Sequence, residues 1–122
     1  MRYVFLILLL VSGRAIAHEF TPTYPVLEPS YVSGVVKASM RLFNKRSEIS
    51  YYEVEVFDSE WKNQKFAMLG SRIIPIAYLE TKEFDVFFPE KNNVTYICTR
   101  SRLLTEGKTQ TRLSSRICSK VK

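Results

Sequence analysis

Apolar and polar residues alternate along much of this chain, which is the period of a half-buried β-strand. The clearest alternation covers residues 36–42, 51–56, 83–88, 94–104 and 111–121, and no segment keeps a helical period over three turns. Polar stretches rich in asparagine, proline or glycine separate these segments at near-regular spacing. The pattern predicts a single all-β domain, an antiparallel β-sandwich of about seven strands.

The connections between these segments indicate how the strands are arranged. The polar sequence NKRSE joins the first two segments and predicts that they form a hairpin. Pro75 interrupts an isoleucine-rich segment, which is typical of an edge strand or a bend. Pro22, Pro25 and Pro29 exclude a helix in this part of the chain and favour an extended lead-in.

The first 17 residues have the three parts of a secretory signal peptide. Arg2 supplies a positive charge, residues 3–11 form an apolar run, and Ala15-Ile16-Ala17 is a small-residue cleavage site. The apolar run is shorter than the roughly 20 residues that cross a membrane as a helix, and no later segment approaches that length. We therefore expect a signal peptide at 1–17, one domain at 18–122, no transmembrane segment in the mature form, and a periplasmic or extracellular location.

Charge narrows the class of partner only slightly. The formal net charge is +6, and loss of residues 1–17 would remove two cations and leave +4. A mildly basic surface favours acidic partners such as an anionic envelope polymer, but it acts on association rather than on identity. We expect no nucleic acid as a partner.

The two cysteines, Cys98 and Cys118, lie on the last two predicted strands. Such a cysteine can be a nucleophile, a metal ligand or half of a disulfide. A nucleophile needs a nearby base and zinc needs four ligands, whereas this chain has one histidine, His18, which is distant in the sequence. An oxidising compartment therefore favours a structural disulfide between Cys98 and Cys118.

Two other features could carry chemistry, and neither predicts an enzyme. Cleavage after Ala17 would make His18 the amino terminus, but a copper site built on a terminal histidine needs a second imidazole, so we expect an exposed His18 and no metal. The acids Glu53 and Glu55 lie on the polar face of a half-buried strand, without an apolar pocket that would prepare them for catalysis. We expect no catalytic residues and no cofactor.

A disulfide would also set the register of the last two strands. The residues that then lie opposite each other on one face are Arg100 with Arg116, Arg102 with Ser114, and Tyr96 with Lys120, and Arg112 joins them near the loop. Like charges directly opposite each other destabilise a sheet, so these arginines require solvent or an anion. Two interpretations stay open: a solvated edge whose cations discourage aggregation, or a surface that recognises an anion or a partner.

The stretches MRLFNKRSEISYYEVEVFD and IIPIAYLETKEFDVFF, followed by a closing hairpin, resemble the N-terminal immunoglobulin-like domain of PapD-type periplasmic chaperones. One branch of that family joins its last two strands by a disulfide, the position inferred for Cys98 and Cys118. The resemblance implies an immunoglobulin-like fold and a role in binding other proteins. The chain departs from the family's pattern in two ways. It lacks a second domain, and it places Ser115 between Leu113 and Ile117, where the family presents large apolar residues.

A second resemblance concerns short motifs. HEFTPTYP, LFNKR, YICT and ICSK resemble segments of small secreted proteins that marine tailed phages encode. The sequence as a whole predicts an exported, non-catalytic binding module of chaperone or adhesion type, which engages a protein partner through sheet edges and an arginine-rich face. The alternative is a phage- or envelope-associated structural protein that binds an anionic polymer.

Overall fold

A computed structural model describes residues 18–102 and 114–122, and eight strands form within these ranges. The strands are β1 (Glu19–Thr21), β2 (Glu28–Pro29), β3 (Val35–Phe43), β4 (Tyr51–Asp58), β5 (Ile73–Pro75), β6 (Thr81–Pro89), β7 (Val94–Arg102) and β8 (Arg116–Lys120). The longer strands coincide with the alternating segments of the sequence. The predicted connection between the last two strands, with Arg112, lies outside the described residues.

The strands form two sheets, and every pairing between named strands is antiparallel. In sheet A, β3 pairs with β6 on one side and with both β1 and β2 on the other. In sheet B, the order is β5-β4-β7-β8, which makes β5 and β8 the edge strands. The prediction of an all-β antiparallel sandwich is confirmed, and so is the edge position of the strand that contains Pro75.

The core lies between the two sheets and consists of the inward-facing residues of alternating strands. Ala38, Leu42, Tyr52, Val86 and Ile97 are each completely buried there. Burial of one face of every long strand is what the hydrophobic effect requires of a two-layer fold. This core orients the opposite face of sheet B towards solvent.

The predicted hairpin between β3 and β4 is wrong. These two strands belong to different sheets, because β3 pairs with β6 along its whole length and β4 pairs with β7. The polar segment between them crosses from one sheet to the other and is anchored by Asn44, whose amide Nδ2 donates to the carbonyls of Ile49 and Ile76. Both strands bury one apolar face, and facing each other across the core satisfies that pattern as well as a hairpin would.

The extended lead-in also joins the two sheets. After β1 leaves sheet A, the chain runs beside β8, where the Lys120 amide donates to the Thr23 carbonyl at 3.0 Å and the Lys122 amide donates to the Pro25 carbonyl at 3.1 Å. The chain then returns to sheet A as β2. The amino-terminal segment therefore covers one end of the β8 edge.

Candidate binding surface on sheet B

A disulfide joins β7 and β8, as the sequence predicts. Cys98 and Cys118 are bonded and lie directly opposite each other in the antiparallel ladder. The register that follows places Arg100 opposite Arg116, so that prediction is confirmed as well. The ladder ends at this pair, and the predicted pairing of Arg102 with Ser114 lies beyond it.

The two faces of β7 differ as alternation requires. Ile97, Thr99 and Ser101 are buried against the core, whereas Arg100 and Arg102 lie on the outer face and are partly exposed. A register shift of one residue would exchange these two sets. The disulfide therefore keeps the arginines on the solvent side of sheet B.

Two glutamates on β4 lie among these arginines, and the sequence alone did not reveal the contact. Glu53 accepts a hydrogen bond from Arg102 Nε at 2.6 Å and lies 3.9 Å from Arg72 Nε. Glu55 lies 3.3 Å from Arg116 Nε. Their position on the polar face of β4 was visible in the sequence, but their neighbours depend on β4 pairing with β7. We call the six residues Arg72, Arg100, Arg102, Arg116, Glu53 and Glu55 the arginine face.

Charge on the arginine face is not balanced. Its four arginines meet only two glutamates, and within the described residues Arg100 forms no ion pair. Arg116 Nε lies 3.3 Å from Glu55 Oε1, but this buried oxygen accepts no hydrogen bond. Arg116 Nη2 instead donates a long hydrogen bond of 3.5 Å to the other oxygen, Glu55 Oε2. The remaining N–H groups of the guanidinium leave Arg116 with bonding capacity for a further acceptor.

The backbone of β8 has a defined orientation at the edge of the sheet. The Ser101 amide donates to the Ser115 carbonyl at 2.9 Å, so odd-numbered residues of this segment point their backbone groups at β7. Arg116 and Cys118 belong to the intervening pairs, whose N–H and C=O groups point away from the partner strand. No residue within 18–102 or 114–122 bonds to these outward groups of Arg116 and Cys118. Among the described residues, this part of β8 is therefore an open edge for hydrogen bonding, although β1 lies against part of the strand.

An aromatic cluster covers the other end of the same face. Trp61 stacks on Tyr96 with ring centroids 4.0 Å apart and an angle of 5° between the planes, and it also contacts Phe57 at 5.7 Å. The Arg116 guanidinium lies over the Phe57 ring, 5.4 Å from its centroid, a cation–π geometry. Arg116 therefore connects the aromatic cluster to the arginine face.

The turn that presents Trp61 is held in an unusual conformation. Trp61 has a φ of 62°, in the left-handed region that bulky side chains rarely adopt. Asp58 organises this turn, because its Oδ1 accepts hydrogen bonds from the amides of Glu60 and Lys62, both at 2.9 Å. The acid is thus occupied by backbone amides, and it fixes the indole against Tyr96.

His18 is buried, so the expectation of an exposed histidine is wrong. Only 2% of its surface is exposed, and its ring lies 4.6 Å from that of Tyr52. Its Nε2 is 2.8 Å from Thr99 Oγ1 and its Nδ1 is 3.1 Å from Ser115 Oγ. The sequence did not reveal this burial, because β1 is only three residues long and shows no clear alternation. The burial of His18 depends instead on the contact of this segment with β8.

Burial lowers the pKa of His18 to about 4; a hydrogen bond with the backbone of Thr99 opposes this shift, and the positive charge of Arg46 adds to it. The imidazole is therefore neutral at pH 7, with both ring nitrogens engaged by hydroxyl groups. Burial likewise raises the pKa of Tyr52 to about 12. In the described part of the chain, no three residues of the histidine, cysteine, aspartate and glutamate types gather to hold a metal ion.

Comparisons with known proteins bear on the fold. No family model and no curated protein matches this chain. The crystal structure of the E. coli chaperone DraB is similar over 87% of this chain and 53% of its own, with a TM-score of 0.64 and 11% sequence identity. The chain thus spans about half the length of the DraB chain. The seventh PapD-like (ASH) domain of human CEP192 is similar over 87% of this chain and 82% of its own, with a TM-score of 0.52 and 7% identity.

Both similar structures have PapD-like domains or belong to a chaperone, and neither is described as an enzyme. Within the residues that the structure describes, no helix has the length and apolarity needed to cross a bilayer. The resemblance to marine phage proteins is not tested by these comparisons and stays a prediction. The sandwich described above therefore has the immunoglobulin-like fold of the PapD type, as the sequence resemblance implied.

Proposed function

We propose that this protein is an exported, non-catalytic binding module of chaperone or adhesion type, which takes an extended segment of a protein partner at the open edge of β8. The signal peptide at 1–17 would deliver it to the periplasm or the cell exterior. The observation that carries the proposal is the pair of outward backbone groups at Arg116 and Cys118, which no described residue satisfies. The PapD-like fold and the disulfide support it.

The physical basis is strand addition. An extended peptide that lies beside β8 can form main-chain hydrogen bonds with these N–H and C=O groups, and its alternate side chains then contact the two faces of the sheet. The accessible stretch is short, because the Thr23 carbonyl already accepts the Lys120 amide and Pro25 has no amide to offer to this edge. The partner strand would therefore begin at or before Arg116 and end near Cys118.

The test uses a blocked nine-residue peptide that alternates valine with threonine and carries a central glutamine. We expect it to bind the purified protein in a fluorescence-polarisation titration, and to shift the amide resonances of Arg116 and Cys118. A version with N-methyl groups on alternate amides should not bind, because it lacks the donors that strand addition requires. Equal binding of the methylated peptide would contradict the proposal.

A pair of variants separates the backbone of Arg116 from its side chain. Arg116→Pro removes the outward amide without removing a bond to β7, and proline is tolerated at such an edge position. Arg116→Ala removes the guanidinium but keeps the amide. We expect the proline variant to bind the peptide more weakly than the alanine variant, with circular dichroism confirming that both are folded.

The second candidate is a structural, envelope-associated role in which the arginine face binds an anionic polymer. The charge of Arg100, which forms no ion pair with any described residue and lies next to Arg116, favours it. Polyacrylate is a suitable probe, since it carries carboxylates without a peptide backbone. Binding of polyacrylate that is lost in the Arg100→Glu, Arg116→Glu double variant, together with no binding of the peptide, would support this candidate over the first.

A further inference from the structure

The charged residues beside the open edge of β8 describe the strand that would add to it. Glu53, Arg100 and Arg116 are direct cross-strand neighbours on β4, β7 and β8, so they form one row across the outer face of sheet B. The row reads negative, positive, positive, and then reaches the open edge. Adjacent like charges destabilise a sheet, whereas opposite charges in neighbouring positions stabilise it.

We propose that the partner strand carries an aspartate or glutamate at the position next to Arg116 on the outer face. This inference rests on the proposed function and deepens it by naming the partner's chemistry. An acid at that position would complete the row as negative, positive, positive, negative. It would supply the acceptor that Arg100 lacks among the described residues, and a second acceptor for Arg116, whose hydrogen bond to Glu55 is long at 3.5 Å.

Distances allow both arginines to contribute. An added strand lies about 5 Å from β8 and about 10 Å from β7, so the new side chain is next to Arg116 and within reach of the long Arg100 side chain. Glu53 is already bonded to Arg102, and Glu55 is largely buried beside the disulfide. These two carboxylates do not balance the four arginines, so the row keeps a net positive charge at its outer end. The positive charges of Arg100 and Arg116 therefore lie next to the open edge of β8.

The inner face sets a second, weaker condition. Ile117 alternates with Arg116 on β8, is partly buried and packs against the core cluster. A residue of the partner strand next to Ile117 would therefore be apolar. The strand that fits this edge is a short extended segment in which an acidic residue on one face is followed by an apolar residue on the other.

The experiment compares three blocked peptides of the valine–threonine series, identical except for glutamate, glutamine or lysine at the central outward position. Blocked ends exclude any contribution from a terminal carboxylate. We expect the glutamate peptide to bind roughly tenfold more tightly than the lysine peptide, with glutamine between them. In the Arg116→Glu variant, this order should reverse.

Lys91→Glu is the matched control. Lys91 is exposed in the turn before β7, about 20 Å along the strand from the Arg100 row, and its reversal changes the net charge by the same amount as Arg116→Glu. It should leave the order of the three peptides unchanged. Loss of the preference in this control as well would show a general field effect and overturn the inference.

The remaining outcomes are distinguishable. If all three peptides bind equally and N-methylation abolishes their binding, strand addition is retained and the acidic partner is refuted. If no peptide binds, the proposed function fails and the inference fails with it. If polyacrylate displaces the glutamate peptide at equal carboxylate concentration, the surface recognises anions without a strand, which also overturns the inference.

Discussion

Protonation of His18 should destabilise the folded protein below neutral pH. The imidazole is almost completely buried between β1, β7 and β8, and burial lowers its pKa from 6.5 to about 4. Because the unfolded chain binds the proton more tightly than the folded chain does, stability rises with pH between these two values. The contribution is fully present above about pH 6.5 and is lost as the pH falls to about 4.

The magnitude follows from the size of the shift. Each unit of pKa difference corresponds to about 1.4 kcal/mol, so the free energy of unfolding should fall by about 3 kcal/mol between pH 7 and pH 4 through this group alone. That is a large part of the stability of a small domain. The three groups that contact the imidazole do not titrate in this range, since Thr99 and Ser115 are hydroxyls and Tyr52 has a pKa of about 12.

The assay is urea unfolding followed by circular dichroism at pH 7, 6, 5 and 4, for the native sequence and for His18→Gln. Glutamine is neutral throughout and retains donors and acceptors, while the surface carboxylates titrate equally in both proteins. The difference between the two curves therefore isolates His18. Parallel curves, with no additional loss of stability in the native sequence at low pH, would refute the reasoning.

Three further changes should affect stability in defined ways. Replacing Cys98 and Cys118 with alanine should lower the free energy of unfolding by about 3 kcal/mol, and reduction of the native protein in urea should give the same loss. Asn44→Ala leaves the Tyr52 hydroxyl and two buried carbonyls without partners. Thermal unfolding should therefore show that the free energy of unfolding falls by about 3 kcal/mol or more. A decrease of less than about 1 kcal/mol would show that water replaces the amide. Trp61→Gly should be more stable than Trp61→Ala by about 1 kcal/mol in urea, because only glycine adopts the positive φ without cost, and the reverse order would contradict a strained turn.

Local sequence patterns predicted the parts of this protein that depend on neighbouring residues. Alternation located the long strands because a side-chain period of two is a property of any half-buried strand. The disulfide could be predicted because the chain has only two cysteines, so neither has another partner. The bond in turn set the register of Arg100 against Arg116. These conclusions require no knowledge of which strands are neighbours.

Only the tertiary structure decided which strands pair and what faces what. Both a hairpin and a crossing between sheets would bury the apolar faces of β3 and β4, so the pattern could not choose between them. The contacts of Glu53 with Arg102 and of Glu55 with Arg116 exist because β4 lies next to β7, a pairing between segments about 45 residues apart. The burial of His18 has the same origin, since a single residue ahead of a three-residue strand has no period of its own, and its environment is supplied by distant strands.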